Sequence, residues 1–288
     1  MSHSASQDSY QIIIEPNRSW TRIDWRALWE YRDLLGLLVR REFLSKYKQT
    51  ILGPAWFVIS PILTTLVFTV IFSRVAQIPT DGIPPALFYL CGLAVWNYLS
   101  QVVATGAATF QAHSALFTKV YFPRLTLPLS VVVATLCAFG LQLITFVGVY
   151  IYYKLFVPAA ADLMPGWQII FLPLLVLQTA MLSFGVTLWM AASTAKYRDL
   201  LHLNQFIMQL WMYATPIIYP LSKIPHQWSW LIWLNPMCMV VEAFRLCLFG
   251  RGYVQANYLV GSIAVTFLIF ISGIMVYQRT ERTVADIA

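Results

Sequence analysis

Apolar runs of membrane length recur along this chain. A helix needs about 20 apolar residues to cross a hydrocarbon core of about 30 Å. Runs at 51–73, 85–110, 125–153, 167–193, 203–221 and 257–277 meet that length with almost no charge and predict six spans. A further apolar stretch, Trp228 to Phe249, is interrupted by Asn235-Pro236. An interior proline removes a backbone donor and biases the residue before it away from helix. The pieces on either side, about 8 and 13 residues, would reach only about 12 and 20 Å at 1.5 Å per residue. Two short re-entrant helices within 226–249, their irregular backbone buried in protein, are therefore expected instead of a seventh span.

Ahead of the first span the pattern changes to an amphipathic period. Thr21-x-x-Asp24 has the form of a capping box, and from residue 25 to 41 Trp25, Leu28, Trp29, Leu35 and Val39 share one helical face. Arg26, Glu30, Asp33, Arg40 and Arg41 share the other, a pattern suited to a helix in the headgroup plane. Residues Arg40 to Trp56, RREFLSKYKQTILGPAW, carry this basic segment without a linker into the first apolar run, with Gly53-Pro54 at the membrane boundary. The predicted fold is thus an all-α polytopic membrane protein. Its parts are a tail (1–24), a cytoplasmic amphipathic or gate helix (25–50), a transmembrane domain (51–280) and a tail (281–288).

Composition and charge sharpen this. Of 288 residues 59% are hydrophobic and 11% charged, against about 25% charged in soluble domains. Fourteen of the 19 Lys and Arg precede the first span or lie in the second and fourth connections or the tail. The positive-inside rule then puts both termini in the cytoplasm. Counting charge does not separate six spans from seven. The net charge of +7 is dispersed, so it does not mark a nucleic-acid partner.

Several chemistries lack their residues. The apolar runs contain essentially no ionisable side chain, which argues against a proton- or ion-coupled transporter. His3, His113, His202 and His226 fall in four segments and the four cysteines are scattered, so no metal cluster is expected. No Gly precedes a Lys, so there is no GxxxxGK[ST] phosphate loop. Catalytic residues at one membrane depth, expected of an intramembrane transferase, do not stand out. Cargo moved uphill would need energy from another polypeptide.

Four groups of residues have readings beyond anchoring. Arg40, Arg41, Lys46 and Lys48 can attract an anionic headgroup or diphosphate, or simply the anionic bilayer. Two short connections mix aromatic and basic residues: Phe117, Lys119, Tyr121, Phe122 and Arg124 in one, Tyr197, Arg198 and Asp199 in the other. They suit docking of a cytoplasmic partner or interfacial anchoring. The fifth span combines Trp211, Tyr213 and Tyr219 with Asn204, Gln205 and Gln209, and carries Pro216 and Pro220, which bend its outer end. Such a face can line a polar passage suited to sugar rings or join helices through its amides. Glu242 and Arg245, three apart on a helix, either neutralise each other or hold a gate shut.

The chain resembles the membrane subunit of type-2 ABC exporters, in their polysaccharide branch and most of all the O-antigen exporter permeases. The resemblance rests on Lys46-Tyr-Lys-Gln-Thr-Ile-Leu-Gly-Pro-Ala-Trp56, Phe122-Pro-Arg-Leu125, Tyr197-Arg-Asp199 and Asn235-Pro236, and covers nearly all of 25–280. It implies a homodimer of six-span subunits in the bacterial inner membrane, docked on two copies of a cytoplasmic ABC ATPase that bind ATP and Mg; this chain itself would hold no cofactor. The implied cargo is undecaprenyl-diphosphate-linked polysaccharide. The diphosphate would be received by Arg40, Arg41, Lys46 and Lys48, and the ATPase contacted by 115–124 and 196–202. The halves around Pro236 would form outer gate helices. Teichoic acid, capsule or a small amphiphile are alternative cargoes. An intramembrane lipid-modifying enzyme and an ion channel are readings of another class.

Overall fold

The computed structural model describes residues 29–46, 48, 50–112 and 122–285. Among these, every regular element is helical: α1 (Arg32–Ser45), α2 (Trp56–Phe68), α3 (Pro85–Ala107), α4 (Thr126–Phe156), α5 (Leu172–Lys196), α6 (Leu200–Tyr213), α7 (Ser229–Leu234), α8 (Pro236–Phe249) and α9 (Ala256–Ala285). Five helical stretches are long and apolar enough to cross a membrane: Gly53–Val75, Pro85–Ala107, Thr126–Phe156, Trp167–Lys196 and Ala256–Thr280. The span expected at 203–221 is not a continuous helix. Its helical part, α6, has 14 residues, about 21 Å, and turns follow to Pro220.

The centre of the bundle is α3. Most of its surface is apolar, with Asn97, Ser100, Gln101 and Thr105 grouped on one side, and so apolar a helix must be surrounded by protein or lipid. Here the surround is protein: 78% of its most apolar window is buried, against 11% for Gly53–Val75. Helices α2, α4, α5, α6 and α8 all pack on it. Phe88 and Tyr89 meet edge to face, with Phe68 and Phe72 of the first span against Tyr89.

Helices α5 and α9 form the most extensive pair, and glycine is the reason. A Cβ on Gly185 would lie 2.8 Å from the backbone of Ile269 and Phe270, and one on Gly273 would strike the Gly185 carbonyl. Without side chains there, the backbones approach directly, which is how membrane helices gain contact when lipid offers no hydrophobic drive. Beside the crossing, Gln178 Nε2 donates to Ser262 Oγ (2.9 Å), and Ser262 donates to the Pro236 carbonyl (2.9 Å). This relay ties α5 and α9 to the first turn of α8.

The amphipathic helix is present as α1, and its packing face differs from the face the period picks out. Leu38 is buried with Phe122 and Leu127, while Tyr31 and Leu34 flank them. Trp29 is 72% exposed; Trp25 and Leu28 lie outside the described residues. The two faces are adjacent, and the buried one rests on α4. Phe43 stacks on Phe57 at 5.9 Å, joining α1 to the first span.

Candidate functional site

Helix α6 stops at Tyr213 because Pro216 lacks an N–H and disfavours helical geometry at Thr215. The unwound stretch that follows is buried, with Thr215 and Ile217 fully inaccessible. Backbone polar groups buried without water need partners. Side chains from the next helical hairpin supply them.

The first supplier is Asn235, in the break between α7 and α8. Its Nδ2 donates to the Ala214 carbonyl (3.1 Å) and Thr215 Oγ1 (3.0 Å). Its Oδ1 accepts from Trp211 Nε1 (2.8 Å) and from the Met237 amide (3.1 Å), which caps α8. All four hydrogen-bonding positions of the amide are used. The second supplier is the Glu242–Arg245 pair, 3% and 1% exposed. Arg245 Nη1 donates to Glu242 Oε1 (2.8 Å) and Nη2 to the Ile217 carbonyl (3.2 Å). Glu242 also accepts from the Leu221 amide (3.3 Å) and the Tyr253 amide (3.1 Å). The guanidinium lies 3.5 Å from the centre of the Phe88 ring, a cation–π contact to α3. The two side chains form an ion pair at 2.8 Å, and the pair fastens the 217–221 segment to both α8 and α3.

Around this clamp the loops at one end of the bundle are joined. Ser222 Oγ donates to Asp81 Oδ2 (2.7 Å), and Arg251 Nη1 to the Gly82 carbonyl (2.8 Å). Gly250 ends α8 in the left-handed region, φ 67°, where glycine carries no Cβ penalty.

On the other side of α6 a cleft of about 250 Å³ opens against α3. Trp96, Ser100 and Ala104 line it from α3 at i, i+4 and i+8; Asn204, Gln205 and Gln209 are among the α6 residues opposite. Gln205 and Gln209 are exposed. Asn204 is 2% exposed, and its Oδ1 has no hydrogen-bond partner among the described residues. Trp96 meets Trp211 edge to face at 5.9 Å, so the cleft wall touches the residue held by Asn235. Tyr213 is exposed, and Tyr219 donates to the Tyr213 carbonyl (3.1 Å).

The remaining candidates gather at the opposite end. Leu125 of the turn before α4, Leu188 and Ala191 of α5, and Ile274 and Tyr277 of α9 form one cluster, with Tyr277 donating to the Arg124 carbonyl (3.2 Å). Phe122 is buried beneath α1 with Leu38 and Leu127. Tyr197, Arg198 and Asp199 are exposed in the turn after α5, with the Lys196 ammonium 5.2 Å from the Tyr197 ring centre. Phe117, Lys119 and Tyr121 lie outside the described residues. Arg40, Arg41 and Lys48 are exposed and Lys46 is half-buried. Burial lowers the Lys46 pKa from its ordinary value, and the nearby Glu42 carboxylate opposes that shift.

Sequence reasoning missed three residues of this arrangement. Asn235 was visible only as the residue before a proline, and Gln178 and Ser262 only as isolated polar residues in apolar runs. Each shows its purpose through a partner 20 or more positions away.

The family model for ABC-2 type transporters matches residues 33–249. The O-antigen export system permease protein RfbA of Myxococcus xanthus is 30% identical over 263 residues, 91% of this chain and 97% of that protein. A protein of the same name from Klebsiella pneumoniae is 25% identical over 255 residues, 88% of this chain and 95% of its own length. The polysialic acid transport protein KpsM of Escherichia coli is 26% identical over 250 residues, 85% and 92% of the two chains. With the family matched over most of its length and its helices long enough to cross a bilayer, the chain is a multi-pass membrane protein of the ABC-2 type transporter family.

Proposed function

We propose that this chain is the channel-forming permease subunit of an ATP-driven exporter. It moves undecaprenyl-diphosphate-linked polysaccharide of the O-antigen kind from cytoplasm to periplasm. It works as a homodimer in the inner membrane, with both termini cytoplasmic and two ATPase subunits below. The observation that carries this reading is the outward face of α6. Gln205 and Gln209 are exposed there, interleaved with the exposed Leu203, Phe206, Ile207 and Leu210. An amide facing hydrocarbon loses its hydrogen bonds at a cost of several kcal/mol. That face is better suited to a hydrated passage, and the names of the relatives supply the cargo class.

In this reading α6 and the unwound 214–220 segment together make the sixth crossing, and α7 and α8 are the re-entrant pair. Arg40, Arg41, Lys46 and Lys48 receive the diphosphate at the cytoplasmic entrance. The Tyr197–Asp199 turn and the 115–124 connection bear on the ATPase. The similarity to KpsM favours capsular polysaccharide as the alternative cargo.

Deleting the gene is expected to remove long-chain surface polysaccharide while lipid-linked glycan accumulates inside, and an ABC ATPase is expected to co-purify with the full chain. Unchanged surface polysaccharide would refute the export reading. Reversing the charge of Arg40, Arg41, Lys46 and Lys48 together is expected to abolish export with membrane level and ATPase co-purification unchanged; normal export would remove the entrance role.

A further inference from the structure

Between the first span and α4 runs an open groove of about 590 Å³. Pro54, Phe57 and Ile62 line it from one side, Leu141, Gly148 and Val149 from the other. The one hydroxyl in its lining, that of Thr145, donates to the Leu141 carbonyl (3.1 Å). The walls therefore offer water nothing to bond to, and hydrocarbon is what fits them. Gly148 is exposed, and a Cβ there would meet nothing within 4 Å, so the absent side chain widens the groove.

The length of the groove and the charge at its mouth narrow the choice of hydrocarbon. It begins at the first residues of the span Gly53–Val75. From Pro54 to Ile62 the helix rises about 12 Å, close to half of the roughly 30 Å hydrocarbon core. That is the depth of one leaflet, which a phospholipid acyl chain occupies and a long polyprenyl chain exceeds. At the mouth, Phe43 of α1 stacks on Phe57 at 5.9 Å. Lys46 follows Phe43 by three residues, one turn further along the same face of the helix. Its side chain is half-buried, and it makes no hydrogen bond or ion pair among the described residues. A cation held at the start of a membrane span draws an anionic headgroup.

We infer that the groove between the first span and α4 is a binding site for one acyl chain of an anionic phospholipid, whose phosphate pairs with Lys46. The lipid completes the packing of a span that its own bundle buries by only 11%. This inference does not depend on the export reading, and it refines that reading at one residue. Lys46 answers to a resident lipid, while the exposed Arg40, Arg41 and Lys48 are left to the cargo.

The test titrates the delipidated full chain in detergent with dioleoyl phosphatidylglycerol or dioleoyl phosphatidylcholine, and counts bound lipid by native mass spectrometry. The wild-type chain is expected to bind its first phosphatidylglycerol at least fivefold more tightly than phosphatidylcholine. Lys46→Gln is expected to erase that preference. Gly148→Leu fills the groove without a clash and is expected to weaken binding of both lipids at least fivefold. Its thermal stability is expected to hold or rise, since leucine is the better helix former. Gly140→Leu, with the same open space on the same helix but outside the groove, is expected to bind as the wild type does.

Equal wild-type affinity for the two lipids would overturn the site, as would undiminished phosphatidylglycerol binding by Lys46→Gln or Gly148→Leu. So would a lipid-linked glycan that stays on the chain purified from cells and is lost in Gly148→Leu, which would give the groove to cargo. Complete disulfide trapping of Gly148→Cys to a second copy in membranes would overturn it too, by making the groove a subunit seam. Every arm reads lipid binding or copy contact and none reads transport, so a failure of the export reading leaves the result standing.

Discussion

At the residue scale, Arg245 is the position with the most at stake. A fully buried guanidinium survives because Glu242, the Ile217 carbonyl and the Phe88 ring surround it. Removing one partner of a buried ion pair leaves an uncompensated charge and typically costs about 3–5 kcal/mol. Glu242→Ala is therefore expected to lower stability by that order, read as loss of the monodisperse peak on heating in detergent. The double replacement Glu242→Met with Arg245→Leu recovers only part of the loss, because the Leu221 and Tyr253 amides and the Ile217 carbonyl still lose their partners. Isolated ion pairs often tolerate apolar replacement; this one is expected not to, because it also serves backbone. The spacing of Glu242 and Arg245 made their pairing legible in the sequence. The backbone they serve was not, since its groups come from segments 11 to 28 positions away.

At the element scale, the crossing of α5 on α9 depends on Gly185 and Gly273. Introducing Leu at Gly185 places atoms where the Ile269–Phe270 backbone runs. A backbone cannot turn aside as a side chain can, so a cost at or above the usual 1–3 kcal/mol of overpacking is expected, measured as loss of folded protein in the membrane. The same scale explains which elements the sequence predicted. Hydrocarbon thickness imposes a length that any apolar run must meet, so five spans could be read directly. The stretch 203–221 also met that length. Hydropathy does not register that the helix ends at Tyr213, because the unwound residues Pro216, Ile217 and Ile218 are as apolar as a helix would be. Pro216 and Pro220 gave the bend; only the side chains of α8 make an unwound continuation tolerable. The Asn235-Pro236 break, by contrast, has a local steric cause and is found where the proline puts it.

For the whole molecule, the contacts sort into two ends. One end gathers the 81–82 loop, residues 221–222 and Arg251 around the buried clamp; the other gathers α1, the start of α4, the turn after α5 and the close of α9. If the first end is periplasmic, cysteines placed at Gly250 to Gly252 label with membrane-impermeant maleimide added to intact spheroplasts. Labelling only after lysis would put that turn in the cytoplasm and require a seventh crossing.

The buried carbonyls after α6 also bear on how the chain is made. Residues 214–217 leave the ribosome about 20–30 residues before Asn235 and Arg245, which are the partners of those carbonyls. At a synthesis rate of about 5–20 residues per second that is an interval of seconds. Through that interval α6 is a 14-residue helix with unsatisfied carbonyls at its end, too short to settle alone in hydrocarbon. The region from Leu200 to Phe249 is thus expected to insert as a single unit, so that truncation before Asn235 leaves α6 out of the membrane in a protease-protection assay.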